Sequence, residues 1–196
     1  MNPQAPPRAL FLDRDGVVNV EIGYLYRVED VQFMPGILSL CCTAMRLGYL
    51  LVVVTNQAGI ARGLYTEADY EALTVWIRGQ LREEGVEFDA VYHCPYHPEH
   101  GIGEYRREHE DRKPGTGMLH RAVRELGVSL PDSIMVGDRC SDVAAANAAC
   151  LRQAFLIAGT ELRGCGGEYL PVESLAQVEE WLLEHGGDGT RSSAVR

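Results

Sequence analysis

The sequence predicts a doubly wound, Rossmann-like α/β fold: a parallel sheet with helices on both faces. Two observations point there. Five short, almost continuously apolar runs alternate with longer segments of helical period, and unbroken apolarity is what a strand buried on both faces requires. Strand–helix alternation of this kind closes most simply through right-handed crossovers into one sheet.

The strands are read at Ala9–Leu12, Tyr49–Val54, Phe88–His93, Ser133–Val136 and Gln153–Ala158. Each helix has a recognisable end. Ile37–Leu47 stops at Gly48 and Gly117–Leu126 stops at Gly127, glycine being the residue that best adopts the left-handed turn closing a helix. Thr66 followed by Asp69 makes a capping box that opens a helix running to about Gly85. Asp142–Ala149 is a short helix, and Leu175–Leu183, with Trp181, covers the end. Residues 1–7 hold three prolines and residues 186–196 are rich in Gly and Ser, so both ends are expected to fray around a single domain spanning 8–185. The one long irregular stretch is 94–112, and connections of that length in a compact domain usually serve function.

Composition bounds the rest. With 46% apolar and 23% charged residues over 196 positions, the chain is an ordinary globule with enough length to bury a core unaided. The formal charge of −10 excludes a general nucleic-acid binder but not phosphate ligands, because a cation can reverse the sign inside one pocket. There is no signal-peptide pattern and no membrane-length apolar run. The six cysteines lack the spacing of a disulfide framework, so free thiols in a reducing cytoplasm are expected.

In a doubly wound sheet ligands bind beyond the carboxyl ends of the strands. After the first apolar run come Asp13 and Asp15. After the second come Thr55, Asn56 and Gln57. Arg112 and Lys113 precede the fourth-strand unit's helix, and Asp138 and Arg139 follow the fourth run. Turn formers alone would explain any one of these; three acids, a hydroxyl and a lysine at one edge are better explained as a site. Crowded carboxylates need a cation, and hard oxygen donors select Mg²⁺. Asp13 is then placed to attack phosphorus and Asp15 to act as acid and base. Thr55 and Lys113 would stabilise the phosphoryl oxygens, while Asp138 completes the metal site. No EF-hand, Walker or dinucleotide-binding pattern is present.

These residues resemble a known family. FLDRDGVVN, VVVTNQAGIARG, RKPGTGML and VGD are similar to the motifs of the haloacid dehalogenase (HAD) superfamily, and within it to the group of D-glycero-D-manno-heptose-1,7-bisphosphate 7-phosphatases and histidinol phosphatases, from about Leu10 to Ala149. The resemblance implies Asp13 as nucleophile, Asp15 as acid/base, and Mg²⁺ held by Asp13, the Asp15 carbonyl and Asp138. It implies substrate contacts from Glu21, Gly23, Tyr24, Asn56, Gln57, Arg112 and Arg139, the last replacing the commoner lysine. A small phosphorylated sugar is the expected partner, with the chain acting as a cytoplasmic monomer in surface-polysaccharide synthesis. Only 41 residues separate Asp13 from Thr55. No large cap domain fits there, so the pocket should be open and walled by the 94–112 loop.

The group commonly carries a structural zinc in that loop, on a C-x-H … C-x-C pattern. Here the corresponding positions read Cys94-Pro95-Tyr96 and His109-Glu110-Asp111, so only Cys94 survives in type. Cys94, His97, His109 and Asp111 are the candidate ligands for a substitute Zn²⁺ site; a metal-free loop is the favoured reading. The leading function is removal of the 7-phosphate from a heptose bisphosphate. Histidinol-phosphate hydrolysis is the alternative with the same chemistry, and a phospho-accepting receiver module the alternative from another class. Asp15 argues against the receiver, since a lasting phosphoaspartate has no need of an adjacent acid/base.

Overall fold

The computed structural model describes residues 5–157 and 164–186. Six parallel strands form one sheet in the order β3-β2-β1-β4-β5-β6. They are β1 (Arg8–Leu12), β2 (Tyr49–Asn56), β3 (Ala90–Cys94), β4 (Ile134–Gly137), β5 (Gln153–Ile157) and β6 (Leu170–Val172). The helices are α1 (Ile37–Arg46), α2 (Ala58–Ala61), α3 (Glu67–Glu83), α4 (Gly117–Leu126), α5 (Cys140–Ala148) and α6 (Leu175–His185).

Strand periodicity divides the core in two. Leu10 and Leu12 of β1 join Leu51, Val53, Ile134 and Val136 on one face, under α1, α3 and α6. Ala9 and Phe11 join Val52, Val54 and Met135 on the other, under α4 and α5. Both sets are essentially inaccessible to water, which is why the strands read as unbroken apolar runs.

The expected doubly wound sheet is present, and no cap domain interrupts it: between β1 and β2 lie a short 3₁₀ turn at Val28–Asp30 and α1. β6 escaped prediction because three residues containing Pro171 carry too little pattern, although proline is tolerated on an edge strand. Four-residue α2 was missed for the same reason of length. The capping box of α3 forms as expected, with the Thr66 hydroxyl accepting from the Asp69 N–H and the Asp69 carboxylate accepting from the Thr66 N–H. The predicted fraying ends fall largely outside the described residues; within them, the Pro7 carbonyl accepts from Ser129 N–H at 2.8 Å. Among the described residues no helix is long and apolar enough to cross a membrane.

One expectation is corrected. Cys140 and Cys165 form a disulfide, with Cα atoms 5.0 Å apart. The first residue of α5 and a loop 25 positions later meet only because the chain doubles back through β5, an approach that cysteine spacing cannot reveal. Cys41, Cys42, Cys94 and Cys150 are free thiols, as read from the sequence.

Candidate functional site

Register brings the site together. Leu12 at the end of β1 pairs with Val53 of β2 and Val136 of β4, so the residues beyond these three strands emerge side by side. Asp13 N–H continues the ladder to the Val136 carbonyl at 3.0 Å. Gly16, at φ +89°, permits a tight return; a methyl group there would fall 2.5 Å from Asp138 Oδ2. Glycine is needed at that position both for the turn and for the approach.

Lys113 is the hub. Its Nζ lies 2.6 Å from Asp13 Oδ1, 2.6 Å from Asp142 Oδ1 and 2.7 Å from the Val54 carbonyl, with the side chain almost fully buried. Burial opposes its charge, but the two carboxylates hold its pKa above the ordinary lysine range. Asn56 fixes the backbone of the same residue: its Nδ2 donates to the Lys113 carbonyl and its Oδ1 accepts from the Lys113 N–H, both at 3.0 Å.

Asp15 is held by three donors. Arg14 donates through Nε at 3.1 Å and Nη2 at 2.8 Å, Asn19 Nδ2 at 2.9 Å, and Gln57 Nε2 at 3.0 Å. Gln57 also donates to the Thr55 hydroxyl at 2.8 Å and accepts from the Tyr65 hydroxyl at 2.5 Å. Gly59 lets the Tyr65 ring come that close, because a side chain at this position would collide with it.

Oxygens of Asp13, Asp138 and Asp142 converge within 4.8 Å. Asp138 Oδ1 is buried with no hydrogen-bond partner. Burial pushes Asp13 up to about 7, with Asp142, Asp138 and Asp15 adding to the rise and Lys113 opposing it. Burial, then Asp142, likewise pushes Asp138 up to about 7. Crowded hard oxygens, one of them unsatisfied, fit a small divalent cation, which would relieve the repulsion.

A cleft of about 370 Å³ opens above these groups. Asp13, Asp15, Glu21, Gly23, Tyr24, Asn56, Gln57, Arg112, Lys113 and Arg139 line it, as do Arg62, Tyr65, His97, Ser141 and Asp142. Thr55 is buried beneath, its hydroxyl engaged by Gln57. Glu21 closes one side by pairing with Arg139 at 2.8 Å. Arg112, half-buried, is held below the usual arginine range by burial and by the like charges of Arg62 and Arg139, so the wall facing the acids is cationic.

Asp142 is the chief residue that sequence reading left without a role. It stands at the third position of α5, where it also accepts from the Arg139 N–H at 3.1 Å, so its local signature is that of an ordinary helix cap. Arg62 and Tyr65 were likewise unassigned, since only tertiary folding turns α2 and its exit toward the cleft.

The four residues considered for zinc do not converge. Among the described residues the only metal-suited group is the aspartate cluster. Cys94 is buried with its thiol 4.0 Å from the Tyr96 carbonyl, and burial pushes that thiol up to about 11. His97 Nδ1 accepts from the N–H groups of Glu99 and His100, and His109 Nδ1 accepts from Asp111 N–H at 3.1 Å. This donor set does not fit tetrahedral zinc.

Known proteins resemble the chain over nearly its whole length. The HAD-hydrolase-like family matches residues 111–163. The D-glycero-beta-D-manno-heptose-1,7-bisphosphate 7-phosphatase of Vibrio cholerae is 43% identical over 178 residues, covering 89% of this chain and 96% of its own. The corresponding alpha-anomer enzyme of Burkholderia mallei is 48% identical over 150 residues, covering 76% and 79%. A crystal structure of the D,D-heptose 1,7-bisphosphate phosphatase from B. bronchiseptica, complexed with magnesium and phosphate, superposes with a TM-score of 0.77 at 30% identity, covering 90% of this chain and 98% of that one. With the acid–lysine centre at the same sheet edge that its motifs mark, the chain belongs to the HAD phosphatases, in the family of D-glycero-D-manno-heptose-1,7-bisphosphate 7-phosphatases.

Proposed function

We propose that this protein hydrolyses the 7-phosphate of D-glycero-D-manno-heptose 1,7-bisphosphate through an aspartyl-phosphate on Asp13. The observation that carries the reading is one cleft holding two opposed chemistries: a carboxylate gripped by Lys113 at its floor, and Arg62, Arg112 and Arg139 on its wall. The floor suits a reacting phosphate, the wall a second anion.

Asp13 attacks phosphorus and the sugar oxygen departs with a proton from Asp15. Water then attacks the same phosphorus, giving its proton to Asp15, and inorganic phosphate leaves with Asp13 restored. Lys113 and Thr55 stabilise the oxygens whose charge grows in each transition state. Asp13, the Asp15 carbonyl and Asp138 would hold Mg²⁺, with Asp142 close enough to share it; bound there, the ion neutralises the acid cluster and the incoming phosphate. Four donor bonds from Arg14, Asn19 and Gln57 hold the Asp15 carboxyl at the cleft.

The arginine wall of Arg62, Arg112 and Arg139 favours a bisphosphate over histidinol phosphate, whose far end is cationic. Relatives that act on the alpha and on the beta anomer are about equally similar, so both are test substrates. Phosphate release with Mg²⁺ is measured from each heptose bisphosphate and from histidinol phosphate, beside Asp13→Asn. Turnover of a bisphosphate that vanishes in the variant is expected. Preference for histidinol phosphate, or an active Asp13→Asn, would overturn the proposal.

A further inference from the structure

We propose that Tyr96 is a positioning residue for the non-reacting phosphate: its ring ties the two limbs of the 94–112 loop together, and its carbonyl aims Arg112 into the cleft. This rests on the bisphosphate reading above, because it assigns the distal anion to Arg112.

The geometry is local and specific. Arg112 Nη1 donates to the Tyr96 carbonyl at 3.1 Å, which leaves the remaining guanidinium N–H groups for the cleft. A long arginine side chain loses much rotamer freedom on binding, and anchoring one nitrogen beforehand removes part of that cost. The anchor is useful only if the Tyr96 backbone is itself fixed, and its ring supplies the fixing. That ring stacks on His109 with centroids 4.6 Å apart, carries the Arg107 guanidinium 3.9 Å from its centroid, and meets Tyr105 at 6.0 Å. All three partners come from the returning limb of the loop. His97 N–H adds a bond to the Tyr105 carbonyl at 3.0 Å, and Arg112 N–H one to the His109 carbonyl at 3.0 Å.

Aromatic and cation–π contacts therefore join the limbs where the donor atoms of Cys94, His97, His109 and Asp111 fail to converge. The phenol hydroxyl has no part in this. The ring and the carbonyl carry the role, so phenylalanine should replace tyrosine without loss.

The test compares Tyr96→Ala, Tyr96→Phe, Arg112→Ala and the Tyr96→Ala/Arg112→Ala double variant. Substrates are a heptose 1,7-bisphosphate and p-nitrophenyl phosphate, which offers only a reacting phosphate. Tyr96→Ala is expected to raise KM for the bisphosphate about tenfold, the scale of one charge-assisted hydrogen bond, with kcat nearly unchanged. It should leave p-nitrophenyl phosphate kinetics as in the wild type. Tyr96→Phe should match the wild type, and the double variant should be no worse than Arg112→Ala alone. Equal damage from Phe and Ala, additive effects, or an unchanged KM in Tyr96→Ala would overturn the proposal. Amide hydrogen exchange gives a readout independent of substrate: Tyr96→Ala should deprotect 94–112, and Tyr96→Phe should not. If no bisphosphate is turned over by the wild type while this exchange pattern holds, the substrate assignment fails and the staple stands; unchanged exchange in Tyr96→Ala sinks the staple itself.

Discussion

The acid–lysine centre and the loop that walls it are built by opposite means. Asp13, Lys113 and Asp142 are buried and locked by ion pairs of 2.6 Å, and Asp138 joins them from just beyond the end of β4. Beyond Cys94, which ends β3, the 94–112 loop has only a 3₁₀ turn at Gly103–Tyr105, and partly buried rings hold it. Backbone register places the chemistry, whereas ring stacking and scattered loop hydrogen bonds place the wall. The centre should therefore respond sharply to single substitutions, and the loop gradually.

Lys113→Met tests the sharp side with the largest effect. It removes the only cation between two buried carboxylates, Asp13 and Asp142. Turnover should fall about 10³-fold, the scale of a lost transition-state donor, and stability in denaturant melts should drop by about 3–5 kcal/mol because a buried pair loses one member. A variant within tenfold of wild-type kcat would show that Lys113 is structural alone.

Asn56→Ala comes next. It leaves every charged group in place and cuts only the two amide bonds that hold the Lys113 backbone. Slight misplacement of a catalytic group can cost up to about 10²-fold, so a 10–100-fold loss in kcat is expected, with KM within about twofold. A rise in KM with kcat intact would instead make Asn56 a substrate contact, as its motif implied.

What could be read from sequence follows the same division. Asp13, Asp15 and Asp138 come just after apolar runs and Lys113 just before a helix, so the rule that sites gather at the carboxyl edge was enough to find them. Asp142 stands at the same edge, but its place at a helix start gives it no role of its own in the sequence. The grip of Asn56 on Lys113 and of Gln57 on Asp15 joins positions 57 and 42 residues apart, and no local pattern encodes which amide faces which group. In the loop, His109 reads as a candidate zinc ligand and Tyr96 and Arg107 carry no signal of their own, because stacking depends on the turn between them. The Cys140–Cys165 bond and β6 depend likewise on where the chain returns.

The mildest test sets the two regions against each other in one titration. Asp13 and Asp138 sit up to about 7 through burial and mutual repulsion. A carboxylate whose folded pKa exceeds its unfolded value keeps its proton in the folded state while the unfolded chain has lost it. In EDTA these two groups therefore lower stability as pH rises from about 4 toward about 7. Asp138→Asn should melt close to the wild type only below about pH 4, where Asp138 is protonated both folded and unfolded, and above it by a margin that grows to several degrees by about pH 8, as the unfolded wild type gains a charge the folded state resists. Millimolar Mg²⁺ should reverse that order at the higher pH by stabilising the wild type alone, since ligand binding to the folded state adds stability. Amide exchange across 94–112 should stay the same with Mg²⁺ or EDTA throughout, because none of the contacts that hold the loop involves the aspartate cluster. A wild type that melts above Asp138→Asn in EDTA at high pH would refute the repulsion at the centre; a loop that loosens in EDTA would join the two regions into one metal-dependent unit.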